Sequence, residues 1–326
     1  MATLPSYLYL NTSEWEEKIA AAHNLARPCR LCPRRCGADR SAGQTGFCRA
    51  GDYLRISSIF PHHGEEPPLS GCGGSGTVFF SHCTLQCLFC QNYQISHLAE
   101  GRRYEPQELA AEMIALQDRG CHNVNLVTPS QYVPWILESL KIACERGLRI
   151  PVVYNCSGYE SVEALAVLKN VVDVYLPDMK YGGNDAAKRY SNAADYVEVN
   201  RAAIREMFRQ AGPLRLDADG IAQRGLIIRH LVLPAGRAES DEIRRFLSSQ
   251  FDPHDITVSV MAQYRPLYRA CECEEIGRGV SSEEYQAVRD AFLADGFTGY
   301  FQDISRLDSA FVIDFKKRKH EALTGE

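Results

Sequence analysis

From Gly71 onward the chain alternates short apolar runs with amphipathic stretches. The apolar runs are Thr77–Ser81, Asn123–Val127, Pro151–Asn155, Val171–Leu176, Leu226–Leu233 and Ile256–Val260. Residues 105–119, 133–146, 161–169, 185–211 and 240–249 lie between them and have the apolar spacing of helices. Six β runs separated by helices predict right-handed βαβ units on a parallel sheet, as an open barrel or a doubly wound sheet. Outside this rhythm, Trp15–Ala26 reads as a short helix capped by Thr12 or Ser13. Tyr53–Leu69 has no period and reads as irregular. Ser282–Ala294 is amphipathic, and the basic run Lys316–Lys319 reads as a solvated tail. The chain divides into an N-terminal segment, 1–70, a βα region, 71–268, and a C-terminal extension, 269–326.

Composition narrows the function. Of 326 residues, 45% are hydrophobic and 24% charged, with a formal net charge of −5. This is ordinary globular composition without the basic surplus of a nucleic-acid binder. No run of eighteen apolar residues predicts a membrane span, and Met1–Glu14 lacks the pattern of a secretory signal, so a cytoplasmic protein is expected. The thirteen cysteines change the picture. Their number is odd and most fall in clusters between Cys29 and Cys90, which suits metal ligands in a reducing compartment better than disulfides.

Cys83, Cys87 and Cys90 have the spacing C-x3-C-x2-C on a loop directly after the first β run. Three thiolates there can bind three irons of a cubane and leave the fourth without a protein ligand. A structural zinc would need a fourth ligand, which neighbouring His82 could supply. Chemistry in βα barrels sits at the carboxyl ends of the strands, where this loop falls.

This motif, with Phe89 before its third cysteine, resembles that of the radical S-adenosylmethionine (SAM) superfamily. The resemblance implies a partial (β/α)6 TIM-like barrel, here with a Cys-rich N-terminal extension and a helical C-terminal one. It implies a [4Fe–4S] cluster on the triad and SAM chelated at the open iron. The implied chemistry is reductive cleavage of SAM to a 5′-deoxyadenosyl radical that abstracts hydrogen, with flavodoxin or ferredoxin as electron donor. The segments GSGTVFFSHC, NLVTPSQYVP, PVVYNCSGYE, VYLPDMKY, IIRHLVLP and VMAQYRP are most similar to the branch of pyruvate formate-lyase activating proteins. By that resemblance a protein or peptide substrate is expected, and Asn155, Ser157, Asp178 and Lys180 fall where activating enzymes contact SAM and a monovalent cation. Two alternatives are a radical SAM enzyme for a small metabolite and an electron-transfer or scaffold protein. Asp178 and Lys180 would otherwise simply end a strand in solvent. His230 and Met261 either face the SAM pocket or pack in the core. Thr128-Pro129-Ser130-Gln131 stands where many radical SAM proteins have Gly-Gly-Glu; Thr128 offers a hydroxyl for the SAM ammonium.

Cys29, Cys32, Cys36 and Cys48, spaced C-x2-C-x3-C-x11-C, suit a tetrathiolate site for zinc or a second iron–sulfur cluster. Cys72 is a substitute ligand. Cys121, Cys144 and Cys156 read as packing residues, and Cys271 and Cys273 have no assignment. His62-His63-Gly64-Glu65-Glu66 reads as a surface turn.

Overall fold

The computed structural model describes residues 4–307 and 313–318. All six apolar runs are strands, joined by four further ones. In chain order they are β1 (Leu54–His62), β2 (Ser75–Phe80), β3 (Arg102–Tyr104), β4 (Val124–Val127), β5 (Val152–Cys156), β6 (Val174–Pro177), β7 (Arg215–Leu216), β8 (Ala222–Leu231), β9 (Thr257–Met261) and β10 (Thr298–Phe301). The sheet order is β10-β9-β8-β6-β5-β4-β2-β1-β3, with β7 paired to β8. From β2 through β10 the neighbours along this order are parallel, whereas β1 is antiparallel to both β2 and β3. This is the expected partial TIM-like α/β barrel, extended by strands at both ends of the sheet.

The helices are α1 (Thr12–Ala26), α2 (Pro67–Ser70), α3 (Tyr93–Ser96), α4 (Pro106–Asp118), α5 (Val133–Glu145), α6 (Val162–Leu168), α7 (Asn184–Ser191), α8 (Tyr196–Ala211), α9 (Ser240–Gln250), α10 (Ser282–Ala294) and α11 (Phe315–Arg318). The cap of α1 is Asn11, which forms a reciprocal capping box with Glu14, so Thr12 and Ser13 are already helical. Residues 185–211 form two helices because Asn192 adopts a left-handed conformation and stops α7.

Alternation along the strands separates two environments. Val152, Tyr154, Tyr175, Leu226, Ile228, Val258 and Val260 pack into the main core with side chains of the surrounding helices. Val153, Val174, Leu176 and Ile227 fill one end of the barrel interior with Leu69. Further along the same strands, towards their carboxyl ends, the inward positions become Asn155 and Arg229. The apolar plug thus gives way to a polar chamber.

Tyr53–Leu69 is not irregular: most of it is β1. Its alternation is obscured by a bulge between Ile56 and Ser58 and by Pro61. β3 pairs with Leu54–Ile56, the opposite end of β1 from Pro61. No described helix is long and apolar enough to cross a membrane. Of the basic run, Lys316 is exposed and Lys319 lies outside the described residues.

Candidate active site

The loop after β2 is turned by His82, whose positive φ of 69° reverses the chain as its amide donates to Ile95 O. The loop is fastened to the end of α7, with the Leu88 amide donating to Tyr190 O at 2.8 Å. Each triad sulfur has a hydrogen-bonding neighbour. The Leu85 amide donates to Cys83 Sγ at 3.3 Å, Ser191 Oγ donates to Cys87 Sγ at 2.9 Å, and Ser96 Oγ lies 3.1 Å from Cys90 Sγ. Donors of this kind favour sulfur in its anionic form. Burial acts the other way and pushes the free thiols up, Cys90 to about 11. A bound metal overturns that balance, because coordination removes the thiol proton.

All three cysteines line an open cavity of about 1000 Å³, together with Phe89, Thr128, Asn155, Ser157, Asp178, Lys180, Arg229 and Met261. Phe89 is buried against Tyr264 and Tyr181 at ring distances of 5.6 and 6.4 Å. Thr128 has a φ of 59°, rare for a β-branched residue, and is held by its amide donating to Asn155 O at 2.8 Å. Lys180 Nζ donates to Asp178 Oδ2 at 2.6 Å, so these residues form a partly buried pair and do not end a strand in solvent.

Arg229 organises the site, and the sequence reading missed it. Its guanidinium donates to Asp178 Oδ1 at 3.0 Å, Asn155 Oδ1 at 2.6 Å and Glu65 Oε2 at 3.4 Å. Burial alone would raise the Asp178 carboxyl, but Arg229 and Lys180 carry it below its ordinary value. Glu65 remains raised by burial despite Arg229 and the Asn125 amide that donates to it at 3.1 Å. Glu66, also buried, is raised for the same first cause. The run His62–Glu66 is therefore not a surface turn, since its two carboxylates enter the barrel. A buried charge inside an apolar strand was the available signal for Arg229, because such a charge demands a partner.

His230, the next residue, is corrected in the opposite direction. Strand alternation turns it away from the cavity, where its Nδ1 donates to Met179 O and its Nε2 accepts from Ser240 Oγ, both 2.8 Å away. It is 1% exposed, stacks on Phe292, and burial lowers it to about 4. His82 is likewise no zinc ligand in waiting. It does not line the cavity.

Cys72 Sγ faces His122 at 3.7 Å, beside the start of β2 and so at the opposite end of that strand from the triad. All thirteen cysteines are free thiols. Among the described residues no three His, Cys, Asp or Glu side chains are gathered into a metal-ready group, and this applies to both cysteine sets. The triad nonetheless fits an iron–sulfur cube in its donor chemistry: three sulfurs on one loop, each with a hydrogen-bonding neighbour, beside open space and with no fourth protein ligand among the described residues.

A parallel βα barrel with a three-thiol loop at the carboxyl end of its first parallel strand defines a class of cluster-dependent enzymes. Residues 77–213 match the radical SAM superfamily. The chain is also 33% identical over 286 residues to the uncharacterized protein MJ0674 of Methanocaldococcus jannaschii, covering 85% of this chain and 78% of that one. Among solved structures it is similar to the FeFe-hydrogenase maturase HydG from Carboxydothermus hydrogenoformans, with 13% identity and a TM-score of 0.47 over 67% of this chain. It spans 50% of that maturase chain. Methylornithine synthase is similar at 16% identity and a TM-score of 0.43, over 65% of this chain and 60% of that one. The chain belongs to the radical SAM superfamily, and membership implies a [4Fe–4S] cluster and SAM.

Proposed function

We propose that this enzyme cleaves SAM reductively and abstracts hydrogen from a small polar substrate held beside the cavity. The observation that carries this reading is the convergence of the three thiols with Lys180, Asp178 and Arg229 on one cavity. When bound, the cluster supplies the electron that divides the sulfonium into methionine and a 5′-deoxyadenosyl radical. Cys83, Cys87 and Cys90 would hold the cluster. Lys180 would receive a carboxylate, Thr128 and Asn155 would accept from an ammonium, and Phe89 and Met261 would exclude water. Flavodoxin or ferredoxin would supply the electron.

The substrate reading rests on a second chamber of about 1040 Å³ that shares Asn155, Arg229, Met261 and Gln263 with the first. It is lined by His62 of β1 and Tyr300 of β10. Glu65 and Glu66 line it too, and Glu66 Oε2 is buried without a hydrogen-bond partner. Carboxylates in such a recess favour a ligand that brings donors or positive charge. The second reading, a glycyl-radical activase-like enzyme acting on a protein or peptide, is favoured by the sequence segments shared with that branch.

Anaerobic protein reconstituted with iron and sulfide, then given SAM and dithionite, should form 5′-deoxyadenosine, whereas Cys87→Ala should form none. A fully loaded cluster that neither binds nor cleaves SAM would leave only the electron-transfer or scaffold reading.

A further inference from the structure

Four cysteines of the N-terminal segment play no part in the cavity. Between α1 and β1 the chain folds back on itself, the Cys29 amide donating to Ala38 O at 3.1 Å and the Gly37 amide to Cys29 O at 3.0 Å. The fold buries Cys29, Cys32 and Cys48. Cys36 is exposed, but its sulfur presses on the backbone of Gly46, where a Cβ would lie 2.2 Å from Sγ. Glycine at this position is what admits the fourth thiol.

The guanidinium of Arg40, only 3% exposed, is directed at the group. Its Nη2 lies 3.5 Å from Cys29 Sγ and 3.8 Å from Cys48 Sγ, while Nη1 donates to Gln131 O at 2.6 Å. No carboxylate accompanies it among the described residues. A buried cation surrounded by neutral thiols and a carbonyl lacks its counter-charge. Four thiolates around a divalent metal, or around an iron–sulfur cube, carry a net negative charge that supplies it.

We infer that Cys29, Cys32, Cys36 and Cys48 form a closed four-thiolate metal centre, distinct from the cavity and charge-balanced by Arg40. No ligand position is left for substrate, so the centre is structural. Its neighbours reach the active-site loop: Arg34 Nε donates to Thr84 O at 3.1 Å, and the Gln131 amide donates to Ser81 O and His82 O at 3.1 and 3.3 Å.

The test uses the full chain with Cys83, Cys87 and Cys90 all changed to alanine, which removes the catalytic cluster and leaves the N-terminal cysteines intact. Metal analysis should find about one zinc, or about four irons with matching sulfide, per folded chain. Adding Cys32→Ser and Cys48→Ser should reduce that content to background. Should the added substitutions prevent folding, cobalt loading of the triad-less chain decides the matter, because a four-thiolate site gives intense sulfur-to-cobalt charge-transfer bands. A folded triad-less chain with no zinc, no iron and no such bands overturns the inference. So does metal content unchanged by Cys32→Ser and Cys48→Ser. Neither result bears on SAM cleavage, which is read on the wild-type chain.

Discussion

Cys83, Cys87 and Cys90 face a cavity whose charged walls are already paired, Asp178 with Lys180 and Arg229, and Glu65 with Arg229. Cys29, Cys32 and Cys48 are packed into a folded-back segment beside Arg40, a cation with no carboxylate partner among the described residues. Hydrogen-bond donors approach sulfur in both groups, the Leu85 amide and Ser191 Oγ in the first and the Arg40 guanidinium in the second, so local chemistry does not tell them apart. Surroundings do. Space and a missing fourth thiol leave the first group open to a reacting ligand, whereas four thiols and an unbalanced buried charge give the second an architectural role.

The most severe test of this contrast is Cys87→Ala. It should lower 5′-deoxyadenosine formation at least about a thousandfold, a loss of roughly 4 kcal/mol of transition-state stabilisation. The N-terminal metal should stay in place, and its loss in the same variant would show that the two regions are not independent. Next is Arg229→Met, which leaves Asp178 to Lys180 alone and takes the cation away from Glu65. Urea unfolding should show a loss of roughly 3–5 kcal/mol, the usual effect of breaking a buried ionic pair from one side. A loss below about 1 kcal/mol would mean that the carboxylates find other partners.

Glu160 probes the ground between the regions. It accepts from Ser130 Oγ at 2.6 Å and Tyr154 OH at 3.1 Å, and burial raises it from 4.5 to about 7. Between those values the folded state binds more protons than the unfolded one, so stability falls as pH rises from 4.5 through 7. The decline is worth roughly 3 kcal/mol and persists at higher pH. Glu160→Gln should remove it, making the variant the more stable near pH 8 with the gap closing towards pH 4.5. Equal slopes of stability against pH would place the titration elsewhere. The smallest effect is expected for His230→Gln. SAM cleavage should stay within about twofold, and thermal unfolding should reveal a loss on the order of 1 kcal/mol from its two hydrogen bonds.

The six barrel strands were legible because each is a short apolar run closed by polar or turn residues. The triad was legible because its ligands are local in sequence. The bulged and proline-bearing β1 was not, and neither was β10, a four-residue strand at the sheet edge. Within β8, Arg229 and His230 have apolar neighbours on both sides, so the chain alone does not say which points inward. That parity is fixed only when β6 and β8 align and Asp178 comes level with Arg229. Glu65 is harder still to see, since its partners are Asn125, Asn155 and Arg229, brought together only by the curved sheet.

The sharing of Asp178 by Lys180 and Arg229 has one more consequence. A carboxylate arriving from outside can take over the ammonium of Lys180 while Asp178 keeps its guanidinium. Such a swap leaves no anion abandoned in the protein interior, so the pocket can be vacated and refilled without rebuilding its walls.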